Sequence, residues 1–259
     1  MARFQFTIEY EGTRYSGWQV QNNARTVQGE LIGAISGALG DRNFEFVGSG
    51  RTDSGVHALY QVAHLEAPTM LAPHILKLKV NDLLPADVNV IDITKAPPRF
   101  HSRHHAISRS YMYQICRRRT AFGKRYVWWV KDELNVRKMQ EACAAFEGFH
   151  DFQSFTRDDP DEKSTTVELQ ECSLHEFGPL VIINIRGSHF LWRMVRQMVG
   201  IIVETGRGAI DPSSIRDLLR KASSFPATKT APPSGLYLQF VQYDEREKIP
   251  PVQPTIWIP

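Results

Sequence analysis

One order of elements, strand, helix, strand, strand, helix, strand, occupies the first hundred residues and recurs in the remainder, and this repetition limits the available folds more than any other feature. Arg3-Phe4-Gln5-Phe6-Thr7-Ile8-Glu9-Tyr10 alternates polar with apolar residues, the pattern of a strand with one buried face. Val27, Leu31, Ala34, Ile35 and Ala38 then recur at helical spacing, with Thr26 placed to cap the helix and Gly40 to stop it. Strands around Phe44–Val47 and Tyr60–Leu65, a helix between Pro73 and Leu84 and a strand Val88–Ile93 complete the first set. The second set comprises a strand Ile107–Cys116, a helix Asn135–Phe146, strands Thr166–His175 and Leu180–Arg186 joined through Gly178-Pro179, and a helix Phe190–Thr205. An extra helix after Pro212 and a final strand Leu236–Tyr243 follow. Each set has the form of a split βαβ unit. The chain is therefore expected to be an α+β protein of two ferredoxin-like halves, residues 1–103 and 104–249, with antiparallel sheets side by side and a cleft between them. The alternative is a single irregular α+β domain. Prolines leave 250–259 as a tail without regular structure, and Asp158-Asp159-Pro160-Asp161-Glu162-Lys163 reads as an exposed loop.

A hydrophobic content of 42% over 259 residues suits a globular protein and excludes a disordered chain. No run approaches the roughly 20 apolar residues of a membrane helix. Met1-Ala2-Arg3-Phe4-Gln5 lacks the apolar core of a signal peptide, so a cytoplasmic location is expected. Cys116, Cys143 and Cys172 are odd in number and far apart, which argues for buried thiols over a disulfide framework or a CxxC metal site.

The net charge is only +3, but its distribution is uneven. Arg99, Arg103, Arg109, Arg117, Arg118, Arg119, Lys124 and Arg125 follow one another without an intervening acid, whereas Asp158 to Glu176 holds seven acidic residues against Lys163. A basic run is commonly a solvated face. Tyr111 and Tyr113 inside this one add the means to stack a base between phosphate contacts. His101, His104 and His105 have no carboxylate or cysteine at metal-ligand spacing, so no metal is expected there.

Gly48-Ser49-Gly50-Arg51-Thr52-Asp53-Ser54-Gly55 invites comparison with phosphate-binding loops, and the comparison fails. Asp53 stands where a dinucleotide fingerprint needs glycine, no Gly-Lys-Ser/Thr ending follows, and the next segment reads as strand, not helix. Such glycine density commonly marks a tight turn. The Arg and Asp on a loop longer than a hairpin requires make it a candidate site as well.

The residues of this loop extend a wider likeness. Tyr10-Glu11-Gly12 through Gly17-Trp18-Gln19, Thr26-Val27-Gln28, and Gly50 through Asp53 to Val56-His57-Ala58 resemble blocks of the tRNA pseudouridine synthase A family. So do Phe100-His101-Ser102-Arg103 leading to Arg109-Ser110-Tyr111-Met112-Tyr113, Phe190 through Arg196 to Gly200, and Gly235-Leu236-Tyr237-Leu238. Ser54 and Gln197 depart from the common Ala and Asn of the family.

The resemblance implies isomerisation of uridine to pseudouridine at positions 38, 39 and 40 of the tRNA anticodon arm, by a homodimer whose cleft binds RNA. It assigns the catalytic carboxylate to Asp53, base stacking to Tyr111, the partner cation of the aspartate to Arg196, and supporting substrate contacts to Arg51 and Leu236. Arg109, Arg117, Arg118 and Arg119 are the candidate RNA-binding cations. Breaking a glycosidic bond calls for an ionised carboxylate near the anomeric carbon, a nearby cation opposes the rise in pKa that burial causes, and the uridine must leave its stem to be reached. The reaction changes no oxidation state and requires no cofactor. Two other readings remain at this stage: an RNA-binding protein without catalysis, and a hydrolase that releases uracil.

Overall fold

In the computed structural model, residues 1–159 and 164–258 are described. The first stretch of chain forms β1 (Ala2–Tyr10), α1 (Val27–Leu39), β2 (Glu45–Gly48), β3 (His57–Ala67), α2 (Pro73–Asn81) and β4 (Val88–Lys95). Then come β5 (Ser108–Cys116), β6 (Trp128–Trp129), α3 (Val136–Phe146), β7 (Gly148–Asp151), β8 (Thr166–Phe177) and β9 (Leu180–Gly187). The remainder forms α4 (Met194–Gly206), α5 (Ser214–Arg220), α6 (Phe225–Thr228) and β10 (Leu236–Gln242). Two compact units result, Met1–Ile107 with Tyr237–Lys248, and Ser108–Leu236 with Ile249–Pro259.

In the first unit, the alternation of β1 buries Phe4, Phe6, Ile8 and Tyr10. β1 lies between β3 and β4, antiparallel to both, and β2 pairs antiparallel with the far half of β3 through Glu45 to Gly48. The strand order β4, β1, β3, β2 is the split βαβ arrangement expected from the sequence. α1 starts where Thr26 Oγ1 accepts the Gly29 N–H at 3.3 Å and ends at Gly40, whose φ of 69° closes the helix in the left-handed region. The expectation of purely antiparallel sheets is corrected here. β10 runs parallel to β3, with Tyr237 opposite His57 and Leu238 opposite Ala58, so the sheet is mixed. Its cause is connectivity: β10 arrives from the distant end of the chain and not through a hairpin.

The second unit is built on the antiparallel order β5, β9, β8, β7, with the short β6 parallel to the end of β5. α3 starts at Asn135, whose side chain accepts the Lys138 N–H, and buries Met139, Ala142, Cys143 and Phe146. The helix expected from Phe190 begins only at Met194. Arg193 holds a φ of 63°, directly after a turn in which Asp158 Oδ2 accepts the Trp192 N–H at 2.9 Å. Asp158 thus has a structural task that its place in an acidic loop did not suggest; residues 160–163 of that loop lie outside the described residues.

The segment from Ile249 has no regular structure but is fastened to the second unit. Gln114 Oε1 accepts the Thr255 N–H at 2.8 Å, and Ile258 is buried with Cys116, Val127 and Leu180. All three cysteines are free and buried. Among the described residues, no helix is long and apolar enough to cross a membrane.

Candidate active site

The loop carrying Asp53 is held by residues distant in sequence, and their fit explains why glycine stands at two of those positions. The Trp18 N–H donates to Thr52 O at 3.1 Å, and the Tyr10 hydroxyl meets Thr52 Oγ1 at 2.8 Å in the interior. Gly17 has a φ of 91°, and a Cβ there would stand 2.6 Å from Thr52 O. A Cβ on Gly12 would overlap the carbonyl of Val56. The loop closes on itself where the Val56 N–H donates to Asp53 O at 3.2 Å, and Tyr15 O accepts both the Ser54 hydroxyl and the Gly55 N–H.

Its approach from β2 is braced by Gln61, which is fully buried. Gln61 Oε1 accepts the Ser49 hydroxyl at 2.7 Å, and Gln61 Nε2 donates to Gly50 O at 3.1 Å. On the far side the Gly12 N–H donates to His57 Nδ1 at 3.0 Å, which leaves that nitrogen unprotonated, and the His57 ring stacks on Tyr237 at 4.7 Å. The outcome is a half-buried Asp53 and an exposed Arg51 on a backbone fixed from both sides. Preorganisation of this kind lets a carboxylate act without reorganising the chain around it. Gln61 and His57 were not singled out from sequence as supports. Gly12, Gly17 and Trp18 entered only through a resemblance, because their contacts with the loop span 34 or more residues.

In the second unit, Tyr111 and Tyr113 point to the same side of β5, as residues two apart must. Tyr111 is 8% exposed and meets Phe190 edge to face at 5.0 Å, which fixes its ring plane. Tyr113 is fully buried, and its hydroxyl donates to Pro232 O at 2.7 Å. Burial drives its phenol pKa well above the ordinary 10, although the charge of Arg196 pulls the other way.

Arg196, on the first turn of α4, is tied to the same segment, its Nε donating to Ala231 O at 2.8 Å. The segment can approach α4 because position 200 is glycine; a Cβ there would overlap the carbonyl of Lys229. It then runs past Tyr113, where a Cβ on Gly235 would stand 2.7 Å from the ring, and delivers Leu236 in a buried position. Arg196, Tyr113 and the segment leading to Leu236 thus form one joined cluster.

The basic run does not form one patch. Arg109 stands near the start of β5, largely buried, and donates to Ser188 O at 3.1 Å. Arg117 follows the strand's other end, about 26 Å along an extended chain. There Arg117 pairs with Glu176 at 2.7 Å and with Gly178 O, fastening the β8–β9 turn, while Arg118 and Arg119 are exposed. The three histidines lie in the first unit, where the His101 ring contacts His104 at 4.3 Å and His64 at 4.7 Å. Burial lowers the His64 pKa to about 4.

Comparison with known proteins identifies the family of the chain. A family model described as tRNA pseudouridine synthase matches residues 7–105 and 142–244. The chain is 36% identical over 248 residues to tRNA pseudouridine synthase A of Oceanobacillus iheyensis, covering 95% of this chain and 98% of that one. It is 38% identical over 249 residues to tRNA pseudouridine synthase A of Maridesulfovibrio salexigens, covering 95% and 92%. With tRNA pseudouridine synthase A 2 of Bacillus cereus the identity is 35% over 246 residues, covering 94% and 100%. The chain therefore belongs to the tRNA pseudouridine synthase A family and is an isomerase of uridine in tRNA.

Proposed function

We propose that this protein converts the uridines at positions 38, 39 and 40 of the tRNA anticodon stem-loop to pseudouridine, with Asp53 as the catalytic carboxylate. The observation that carries the proposal is the clamped loop: Thr52 is fixed by Tyr10 and Trp18, and Gly17 admits its carbonyl, so the neighbouring Asp53 keeps one backbone position on an accessible turn. Support of this kind is what a carboxylate on a loop needs to be held in one position for chemistry. Tyr111, Arg196, Arg51 and Leu236 are the proposed substrate-contacting residues, and Arg109, Arg117, Arg118 and Arg119 the RNA-binding cations. In this reading the uridine leaves its stem, stacking on an aromatic ring offsets part of that cost, and the carboxylate opens the C1′–N1 bond before the base rejoins through C5. The working form is a cytoplasmic homodimer.

The test uses tRNA tritiated at C5 of uridine, because forming the new bond at C5 releases that hydrogen. The wild-type protein releases tritium and Asp53→Asn does not, while both bind tRNA. Release by both would remove Asp53 from its role, and release by neither would leave a binding protein. Free uracil among the products would mark a hydrolase.

A further inference from the structure

Three large aromatic side chains in the second unit are exposed where the chain carries an uninterrupted excess of positive charge. Phe122 is 82% exposed, Trp257 81% and Trp129 41%. Exposed rings grouped on one surface, unlike rings scattered singly, are a mark of an interaction site. The segments bearing them are fastened together. Gln114 Nε2 donates to Tyr126 O at 3.0 Å and to Thr255 Oγ1 at 2.6 Å, and Val127 shares a buried cluster with Ile258. Gly123, with a φ of 72°, lies so close to Ile256 that a Cβ there would overlap its side chain. Phe122 and Trp257 are the chain neighbours of that contact. Ile258 turns inward and Ile256 packs against the same cluster, which leaves Trp257 as the ring that faces out.

The charge carried by these two segments is of one sign, and Arg117 pairs with an acid from outside them, Glu176. Residues 117–131 include Arg117, Arg118, Arg119, Lys124, Arg125 and Lys131 with no acidic residue, and residues 249–258 carry no charge. Arg119 lies over the Trp129 ring at 5.9 Å. Exposed rings interleaved with guanidinium groups match a polyanion that carries stackable bases. A second copy docking two-fold through the same patch would bring together two surfaces of the same net sign.

We propose that residues 117–131 and 255–258 form an RNA-docking platform on which Phe122, Trp129 and Trp257 stack on unpaired bases of the tRNA substrate while the flanking cations hold its phosphates. This rests on the tRNA reading above and extends the RNA contact from the arginines to the C-terminal segment.

The experiment measures binding of dye-labelled tRNA by fluorescence anisotropy at several salt concentrations. The double variant Phe122→Ala with Trp257→Ala binds about tenfold or more weakly, with the slope of log K against log salt unchanged, because stacking releases no counterions. Arg118→Gln with Arg119→Gln lowers that slope by about two. Unchanged affinity in the aromatic variant overturns the proposal, as does a fall in its mass by sedimentation without RNA, which would mark a contact between copies. The catalytic reading is scored separately, by tritium release at saturating tRNA. If the wild type releases none while binding still depends on the rings, the catalytic reading falls and the platform stands.

Discussion

Arg196 and Ala231 hold each other twice: the Arg196 Nε donates to Ala231 O at 2.8 Å, and the Ala231 N–H donates back to Arg196 O at 3.0 Å. The pairing orients the guanidinium from the main chain of a segment 35 residues away. It depends on Gly200, the only residue type that lets the Lys229 carbonyl approach α4 so closely. Gly200→Ala is expected to destabilise the protein by about 1–3 kcal/mol and to depress kcat along with it. Thermal melts and tritium release under identical conditions check both, and an alanine variant with wild-type kcat would disconnect this segment from Arg196.

The clamp around Thr52 gives a second expectation. Gly17→Ala must adopt a left-handed conformation that L residues resist and must displace Thr52 O, next to the proposed carboxylate. Shifts of this order far from the reacting atoms cost on the order of 10²-fold in rate. We expect kcat to fall by about that factor while tRNA affinity, measured by anisotropy, changes little.

Tyr113→Phe removes one hydroxyl and leaves the Pro232 carbonyl without that donor, a loss of about 1–2 kcal/mol of stability. The pH dependence follows from the same group. Its folded pKa lies above the unfolded value near 10, so its contribution is complete below about pH 10 and is lost as pH rises beyond that. Denaturant titrations from pH 9 to 11 should show a steeper loss in the wild type than in the phenylalanine variant.

His64 works in the opposite direction. Its pKa is about 4 when folded and near 6.5 when unfolded, so the unfolded chain takes up the proton first and stability falls as pH drops from about 6.5 toward 4. His64→Asn keeps an acceptor for the Ser102 N–H, which reaches His64 Nδ1 at 3.2 Å, and removes the titration. Denaturation midpoints at pH 7 and pH 5 should lie closer together in this variant, and equal spacing would exclude His64 as the cause.

What could be read from the sequence was local. Alternation gave β1, and the caps Thr26 and Gly40 bounded α1, because each depends on neighbours within one turn or one pleat. The proposed start of α4 at Phe190 failed because Asp158, 34 residues away, fixes Trp192 in a turn that helical spacing does not register. The basic run read as one feature, yet β5 carries Arg109 and Arg117 to opposite ends of a strand. The C-terminal segment looked unstructured from its prolines, and its attachment depends on Gln114, 141 residues earlier. At the Asp53 loop, the motif marked the residues, while the bracing by Gln61 and His57 became visible only in three dimensions.

The parallel pairing of β10 with β3 has a consequence for how the molecule is made. A ribosome releases residues 57 and 58 long before 237 and 238, so the first unit emerges with the start of β3, at His57 and Ala58, unpaired on the side that β2 covers only farther along, and waits for nearly the whole chain to complete its sheet. Contacts of such separation form late and slowly. Truncation before Leu236 therefore removes more than a terminus: it leaves a nascent unit with an open strand edge, prone to pair with its neighbours on the same polysome.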